Sequence, residues 1–285
     1  MTEKTISELT NQALNQTQFP QALSIAGSDS GGGAGMQADL KTIQERHVFA
    51  TTVLVAVTAQ NTLGVQDAFP LPTKIIDEQF ASLDADLAIK ACKTGMLADT
   101  EHVLDVVKNL KRYDFGPLTV DPVMIAKGGA PLLTHEAIAT VRDALLPLAT
   151  ILTPNLPEAE ALTGQTIDND QDMQEAGKRL QALGAKNVIV KGGHEDDPKT
   201  ASDYVLLEDG HSFWLRGPRV DTHNTHGTGD TLSACITAEL AKGASIEEAI
   251  RIGKAYVSAT IAQGIKVGHG HGPLNHWAVI SEGVR

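Results

Sequence analysis

Two rhythms of apolar and polar positions alternate along the chain. Short apolar runs recur at Ala22–Ala26, Thr52–Val57, Leu87–Ala91, Leu118–Val120, Thr150–Leu152 and Asn187–Val190. Each is too short for a helix and apolar on both faces, as a strand buried on both sides requires. Between them, Thr100–Tyr113, Glu136–Leu146 and Gln171–Leu183 carry apolar residues at helical spacing. Alternation of this kind predicts βα units around a mainly parallel sheet. Tyr204–Leu207 and Phe213–Leu215, separated by Glu-Asp-Gly-His-Ser, read as a hairpin and so as antiparallel strands at one edge. Ser245-Ile-Glu-Glu248 has capping-box spacing and opens a helix that stops near Gly264.

The chain has 285 residues and is 42% hydrophobic, enough for one large α/β domain with a full core. No repeat, low-complexity linker or charge block marks a second domain, so residues 19–285 are read as one unit. Residues 1–18 are mostly Thr, Gln, Asn and Glu. They read as a polar, flexible arm without a role, the alternative being a short helix around Ile6 to Leu14. The arm lacks the basic start and apolar centre of a signal peptide. No apolar run is long enough to span a bilayer.

Net charge is -12, which argues against nucleic acid or an anionic membrane as the main partner. It leaves ATP open, because anion sites are built locally from loops and helix ends. Cys92 and Cys235 both sit in apolar runs and read as buried free thiols in a reducing, cytoplasmic setting.

The most informative stretch is Asn224-Thr-His-Gly-Thr-Gly-Asp230, which runs straight into the apolar segment ending at Leu240. A helix N-terminus offers backbone N–H groups and the positive end of a dipole, and glycines let an anion come close. Asp230 is the one group there that repels an anion. An acid beside an anion hole suits a proton acceptor next to a phosphoryl group in transfer, as a kinase for a small alcohol needs.

Other motifs follow predicted strands at Gly27, Gln60, Thr94, Asp121, Asn155 and Lys191, and ligands bind beyond the carboxyl ends of parallel strands. Ala26-Gly-Ser-Asp-Ser-Gly-Gly-Gly-Ala-Gly-Met-Gln-Ala-Asp-Leu40 fits neither a P-loop nor G-x-G-x-x-G. So many small residues suggest a ligand packed on bare backbone, with Asp29 able to accept hydrogen bonds from a hydroxyl or amine. Gln60 suits an aromatic ring bearing an amino group and a ring nitrogen, although a loop glutamine is usually just solvated. Asp121 can orient a metal or a water, or satisfy nearby N–H groups. The Ala-Lys-Gly-Gly-Ala stretch around Lys127 fits a mobile lid. Asn155 and Glu158 have the spacing of a helix-capping pair, which is the favoured reading of those residues alone. Lys191, ending a buried strand before two glycines, can reach phosphates as a point charge. In Val267-Gly-His-Gly-His-Gly-Pro273, two histidines without a third ligand read as a glycine-rich turn.

The phrases AGSDSGGGAGMQADLKT, VTAQNTLGV, KTGML, DPVM, AKGG, LTPNLPEAE, VKGGH, THGTGDTLSA and GHGHGPLNHW, in this order, resemble the ribokinase-like superfamily. More closely they resemble its hydroxymethylpyrimidine/phosphomethylpyrimidine kinases of thiamine synthesis, over roughly Leu23 to Trp277. The resemblance implies a three-layer α/β/α fold, a cytoplasmic homodimer, and ATP with Mg²⁺. It implies phosphorylation of 4-amino-5-hydroxymethyl-2-methylpyrimidine and then of its monophosphate. Carried over, Gly27, Asp29, Gln60, Met96 and Val123 line the pyrimidine pocket. Asn155, Glu158 and Lys191 handle Mg-ATP, with Glu158 and Asp121 toward the metal. Gly227, Thr228 and Gly229 form the anion hole, and Asp230 is the base. Many members of the subfamily carry Cys after Gly-Thr-Gly, whereas the wider superfamily carries Asp, as here. A pyridoxal or pyridoxine kinase is the nearest rival, and a pyrimidine sensor without turnover is the reading of a different class.

Overall fold

The computed structural model describes residues 19–124, 133–192 and 199–280. The arm at 1–18 and the stretch around Lys127 lie outside the described residues.

The sheet is built from the short apolar runs. Strands β1 (Gln21–Ala26), β2 (Phe49–Leu54), β5 (Ile89–Thr94), β6 (Leu118–Val120), β7 (Ile151–Leu152) and β8 (Asn187–Lys191) are parallel. The antiparallel pair β9 (Thr200–Leu206) and β10 (Ser212–Pro218) completes one edge, giving the order β10-β9-β8-β7-β6-β5-β1-β2. The inner strands are mainly apolar because helices cover both faces. On one face, Ile76, Phe80, Val103, Val106, Ala159, Met173 and Leu180 pack from α2 (Thr73–Asp84), α3 (Thr100–Arg112), α5 (Leu156–Thr163) and α6 (Asp170–Ala182). On the other, Ile43, Leu232, Ile236, Ile250 and Val257 pack from α1 (Gly35–Glu45), α7 (Thr228–Ala241) and α8 (Ile246–Ala262). Every residue of α7 from Thr231 to Ala241 is buried, as expected of a helix that is apolar all round. The fold is the three-layer α/β/α arrangement.

Three details depart from the sequence reading. The run Thr52–Val57 is two strands, not one. β2 ends at Leu54, and β3 (Ala56–Asn61) leaves the main sheet to pair with β4 (Gly64–Pro70) in a separate antiparallel hairpin. The apolar run continues across the junction because Val55 is itself fully buried. Gln60 consequently lies within a strand and not on a loop after one. The helix expected over Glu136–Leu146 is α-helical only as α4 (His135–Thr140), then turns π over Val141–Leu145 and 3₁₀ over Leu146–Leu148, where Pro147 removes a donor. The hairpin β9–β10 and the helix after Ser245 occur where expected, with Ser245 accepting a hydrogen bond from the Glu248 N–H.

Candidate active site

The carboxyl ends of the parallel strands meet the N-terminus of α7. Gly227 caps α7 with φ +83°, a left-handed conformation that favours glycine. A Cβ there would also fall 2.0 Å from the Gly33 carbonyl oxygen, so the turn admits no side chain. Thr228 Oγ1 donates to the Thr225 carbonyl at 2.8 Å and closes the approach to the helix. The first helical hydrogen bond is donated by Thr231 to Gly227. The N–H groups of Thr228, Gly229 and Asp230 precede it, at the positive end of the helix dipole. Gly229 brings this end against the neighbouring strand ends: a Cβ built on it would lie 2.8 Å from Asp121 Oδ2 and 3.3 Å from Lys191 Nζ. The Asp230 side chain keeps 14% exposure.

Beside this helix end is a cluster of buried charge. Asp121, directly after β6, accepts from Lys191 Nζ at 3.1 Å and from Thr153 Oγ1 at 3.3 Å. Asn155 bridges to Lys191 along the sheet. The capping box expected of Asn155 and Glu158 is present in both directions: the Glu158 N–H donates to Asn155 Oδ1, and the Asn155 N–H donates to Glu158 Oε2. That does not remove Glu158 from the cluster. Burial pushes its carboxyl up to about 7, with the charge of Asp121 adding to the rise and Lys191 opposing it. Lys191 is held above its usual value: burial pulls it down, and Asp121 and Glu158 outweigh burial. Among the described residues, no three His, Cys, Asp or Glu side chains are grouped to hold a metal.

The opposite wall is the loop after β1 docked along β3. The Ser28 N–H donates to the Ala56 carbonyl, and Thr58 and Gln60 N–H groups donate to the hydroxyls of Ser28 and Ser30. Asp29 is 2% exposed and ties this loop together, accepting from the N–H groups of Gly31, Gly33 and Ala34 at 2.8, 3.0 and 2.8 Å. Burial works against its charge, but His226 and the N–H groups of Ala34 and Gly31 outweigh burial and hold the carboxyl below its ordinary value. Met96 closes the floor: the Gly27 N–H donates to its carbonyl, and a Cβ on Gly27 would fall 2.5 Å from its Cε. Val123 is half-buried just beyond Asp121, whose carbonyl accepts its N–H.

Two residues that sequence reasoning did not single out join these walls. His226 Nε2 lies 2.9 Å from Asp29 Oδ2 and 3.2 Å from Gln60 Nε2. The position of His226 inside the Thr-His-Gly-Thr-Gly stretch was the available signal. Lys93, the last but one residue of β5, is fully buried, with Nζ 2.7 Å from Asp39 Oδ1 and 3.8 Å from Asp230 Oδ1. The glycine-rich run Gly268–Gly272 wraps the hairpin tip, where the N–H groups of His269 and Gly270 donate to Thr62 Oγ1 and that of His271 to the Thr62 carbonyl.

A helix N-terminus carrying an acid, placed at the strand ends of a three-layer sheet and roofed by a two-stranded hairpin, defines a ribokinase-like kinase of small molecules. The family model described as phosphomethylpyrimidine kinase matches residues 29–275. A hydroxymethylpyrimidine/phosphomethylpyrimidine kinase of Haemophilus influenzae is 54% identical over 260 residues, 90% of this chain and 97% of its own. Among solved structures, an ADP complex of Bacillus subtilis pyridoxal kinase superposes with a TM-score of 0.85 at 39% identity, covering 92% of this chain and 98% of that one. A phosphomethylpyrimidine kinase of Clostridium difficile superposes with a TM-score of 0.74 at 42% identity, covering 84% and 97%. The chain belongs to the phosphomethylpyrimidine kinase family.

Proposed function

We propose that this enzyme transfers the γ-phosphoryl of ATP to the hydroxymethyl oxygen of 4-amino-5-hydroxymethyl-2-methylpyrimidine, and then phosphorylates the monophosphate to the diphosphate for thiamine synthesis. The observation that carries the reading is Asp230 set into the N-terminal turn of α7, with Gly229 against both Asp121 and Lys191. The pyrimidine binds over Gly27, Met96 and Val123 with its ring-nitrogen edge on Gln60, and Asp29 fixes the loop around it. Asp230 takes the hydroxyl proton as the oxygen bonds to phosphorus and the bond to ADP breaks. The N–H groups at Gly227, Thr228 and Gly229 stabilise charge on the phosphoryl in flight, and Lys191 and Asn155 position the nucleotide.

The donor set fits Mg²⁺. Asp121 and Glu158 put two buried carboxyl groups, hard oxygen ligands, beside one ammonium. They would hold the ion, Glu158 through water, and the bound ion would neutralise phosphate charge.

The enzyme acts as a cytoplasmic homodimer in this reading. Val57 and Phe69 pair across the outer face of the β3–β4 hairpin and are 43% and 64% exposed, an apolar surface for a second copy to cover. Cys92 and Cys235 are buried free thiols.

The likeness to a pyridoxal kinase supports a second reading, phosphorylation of a B6 vitamer at the same site. The deciding experiment follows ATP consumption with Mg²⁺ on hydroxymethylpyrimidine, its monophosphate and pyridoxal, with products resolved by mass. Mono- and diphosphorylated pyrimidine is the expected result. Pyridoxal phosphate alone would move the enzyme to the second reading, and binding without turnover would make it a sensor.

A further inference from the structure

Beneath Asp230 lies a chain of buried polar groups that the reaction as described leaves unused. Lys93 on β5, Asp39 on α1 and Ser24 on β1 are each 0% exposed. Ser24 Oγ donates to Asp39 Oδ2 at 2.6 Å, and Lys93 Nζ donates to Asp39 Oδ1 at 2.7 Å. Both carboxylate oxygens of Asp39 are thereby engaged, and the ammonium is fixed between Asp39 and Asp230 Oδ1, 3.8 Å away. Taking such a pair out of water costs several kcal/mol per ion, and an apolar pair of the same volume is often as stable. Packing alone therefore gives no reason for a lysine in the middle of this sheet. The ammonium faces Asp39 from α1, Asp230 from α7 and, at longer range, Asp121 from the end of β6. Burial pulls Lys93 down, but those three carboxylates outweigh it and keep it protonated. Burial pushes Asp39 up to about 7, against the pull of Lys93 and with the charge of Asp230 adding to the rise.

We propose that Lys93 is a positioning residue for Asp230: its ammonium, anchored from below by Asp39 and Ser24, holds one Asp230 carboxylate oxygen and the negative charge on the group, leaving the other oxygen for the substrate hydroxyl. The inference rests on Asp230 being the base. It assigns Lys93 no contact with substrate. Its work is to keep the proton acceptor aimed while an anionic phosphoryl group approaches.

The test is kcat and KM for Lys93→Met/Asp39→Asn and for Lys93→Met alone, with melting curves beside them. The double variant replaces the buried pair together and so leaves neither partner behind. Without the ammonium nothing holds the second Asp230 oxygen, so kcat should fall roughly tenfold while KM for the pyrimidine stays within about threefold. A merely structural role moves melting temperature and leaves kcat in place. A folded double variant with wild-type kcat overturns the proposal. If the double variant does not fold, Lys93→Met alone decides: burial already pushes the Asp39 carboxyl up, so it is neutral once the ammonium is gone, and an unchanged kcat overturns the proposal. Asp230→Asn serves as the control, since wild-type turnover there would remove the base assignment itself, a result distinct from an unchanged kcat in the Lys93 variants.

Discussion

The floor and the roof of this site are made by different means. The floor is charge on the rigid ends of the eight-stranded sheet: Asp121, Lys191 and Lys93 are each mostly or fully buried, and Asp230 stands on a helix packed all round. The roof is the β3–β4 hairpin, where all of β4 is exposed and the attachment to the rest of the molecule includes backbone and hydroxyl hydrogen bonds at Ser28, Thr58, Ser30 and Gln60 and, at the tip, at Thr62. Chemistry that needs fixed charge sits on the part packed on both faces, because a displaced dipole or ion stabilises a transition state poorly. Recognition of a small ring sits on the part that gains its shape from hydrogen bonds and can be re-cut without disturbing the sheet. His226 and Gly227, next to each other in sequence, are where the two meet.

The division is tested most strongly at Asp230. Asp230→Asn removes the proton acceptor and leaves the roof untouched, so kcat should fall by about 10²–10⁴-fold with little change in KM for the pyrimidine. Steady-state kinetics at saturating ATP reads both numbers. A variant with near wild-type turnover would take Asp230 out of the chemistry, and an equal loss through KM would erase the distinction between floor and roof.

The converse change is Gln60→Ala. Here the loss is one ligand hydrogen bond made in ground and transition states alike, about 1–2 kcal/mol, so KM should rise roughly five- to thirtyfold with kcat nearly kept. The His226 Nε2 proton still has Asp29 to donate to, so the fold of the wall should survive. Competition between the pyrimidine and pyridoxal in this variant sharpens the comparison further. If the ratio of kcat/KM for the two does not change, Gln60 is not what distinguishes them.

The same contrast explains which parts could be read from sequence. The floor strands were legible because burial on both faces leaves short, mainly apolar runs, as at Leu118–Val120 and Asn187–Val190. The roof was not, because Val55 is buried at the junction and its apolar side chain conceals the point where the chain leaves one sheet for another. The glycine-rich entry to α7 announced itself, since few structures need that many small residues before an apolar helix. The capping box at Asn155 and Glu158 was equally readable, and the structure adds that a residue can cap a helix and still face a charged cluster. The role of Lys93 was invisible for a physical reason. β5 carries Lys90 and Lys93 on opposite faces, one exposed and one sealed. The motif KTGML begins at Lys93 but does not say what it faces, because the partner that permits burial, Asp39, is distant in the chain.

The smallest expected effect concerns what holds the two halves together. Asp29 accepts three backbone N–H groups and faces His226, and its side chain is 3% exposed. Its carboxyl is held below its ordinary value of 3.8, burial being outweighed by these partners. A depressed folded-state value means that the ionised group adds stability at neutral pH, stability that is lost as pH falls below 3.8 and through the folded value. Asp29→Asn keeps one acceptor oxygen and gives up the charge, so it should destabilise the fold by about 1–3 kcal/mol at pH 7. The gap between variant and wild type should then narrow as the pH is lowered past 3.8. Denaturant unfolding of both proteins across that range measures it. A gap that stays constant with pH would mean that the loop is held by its glycines and backbone contacts alone, and that the Asp29 charge contributes nothing to joining roof and floor.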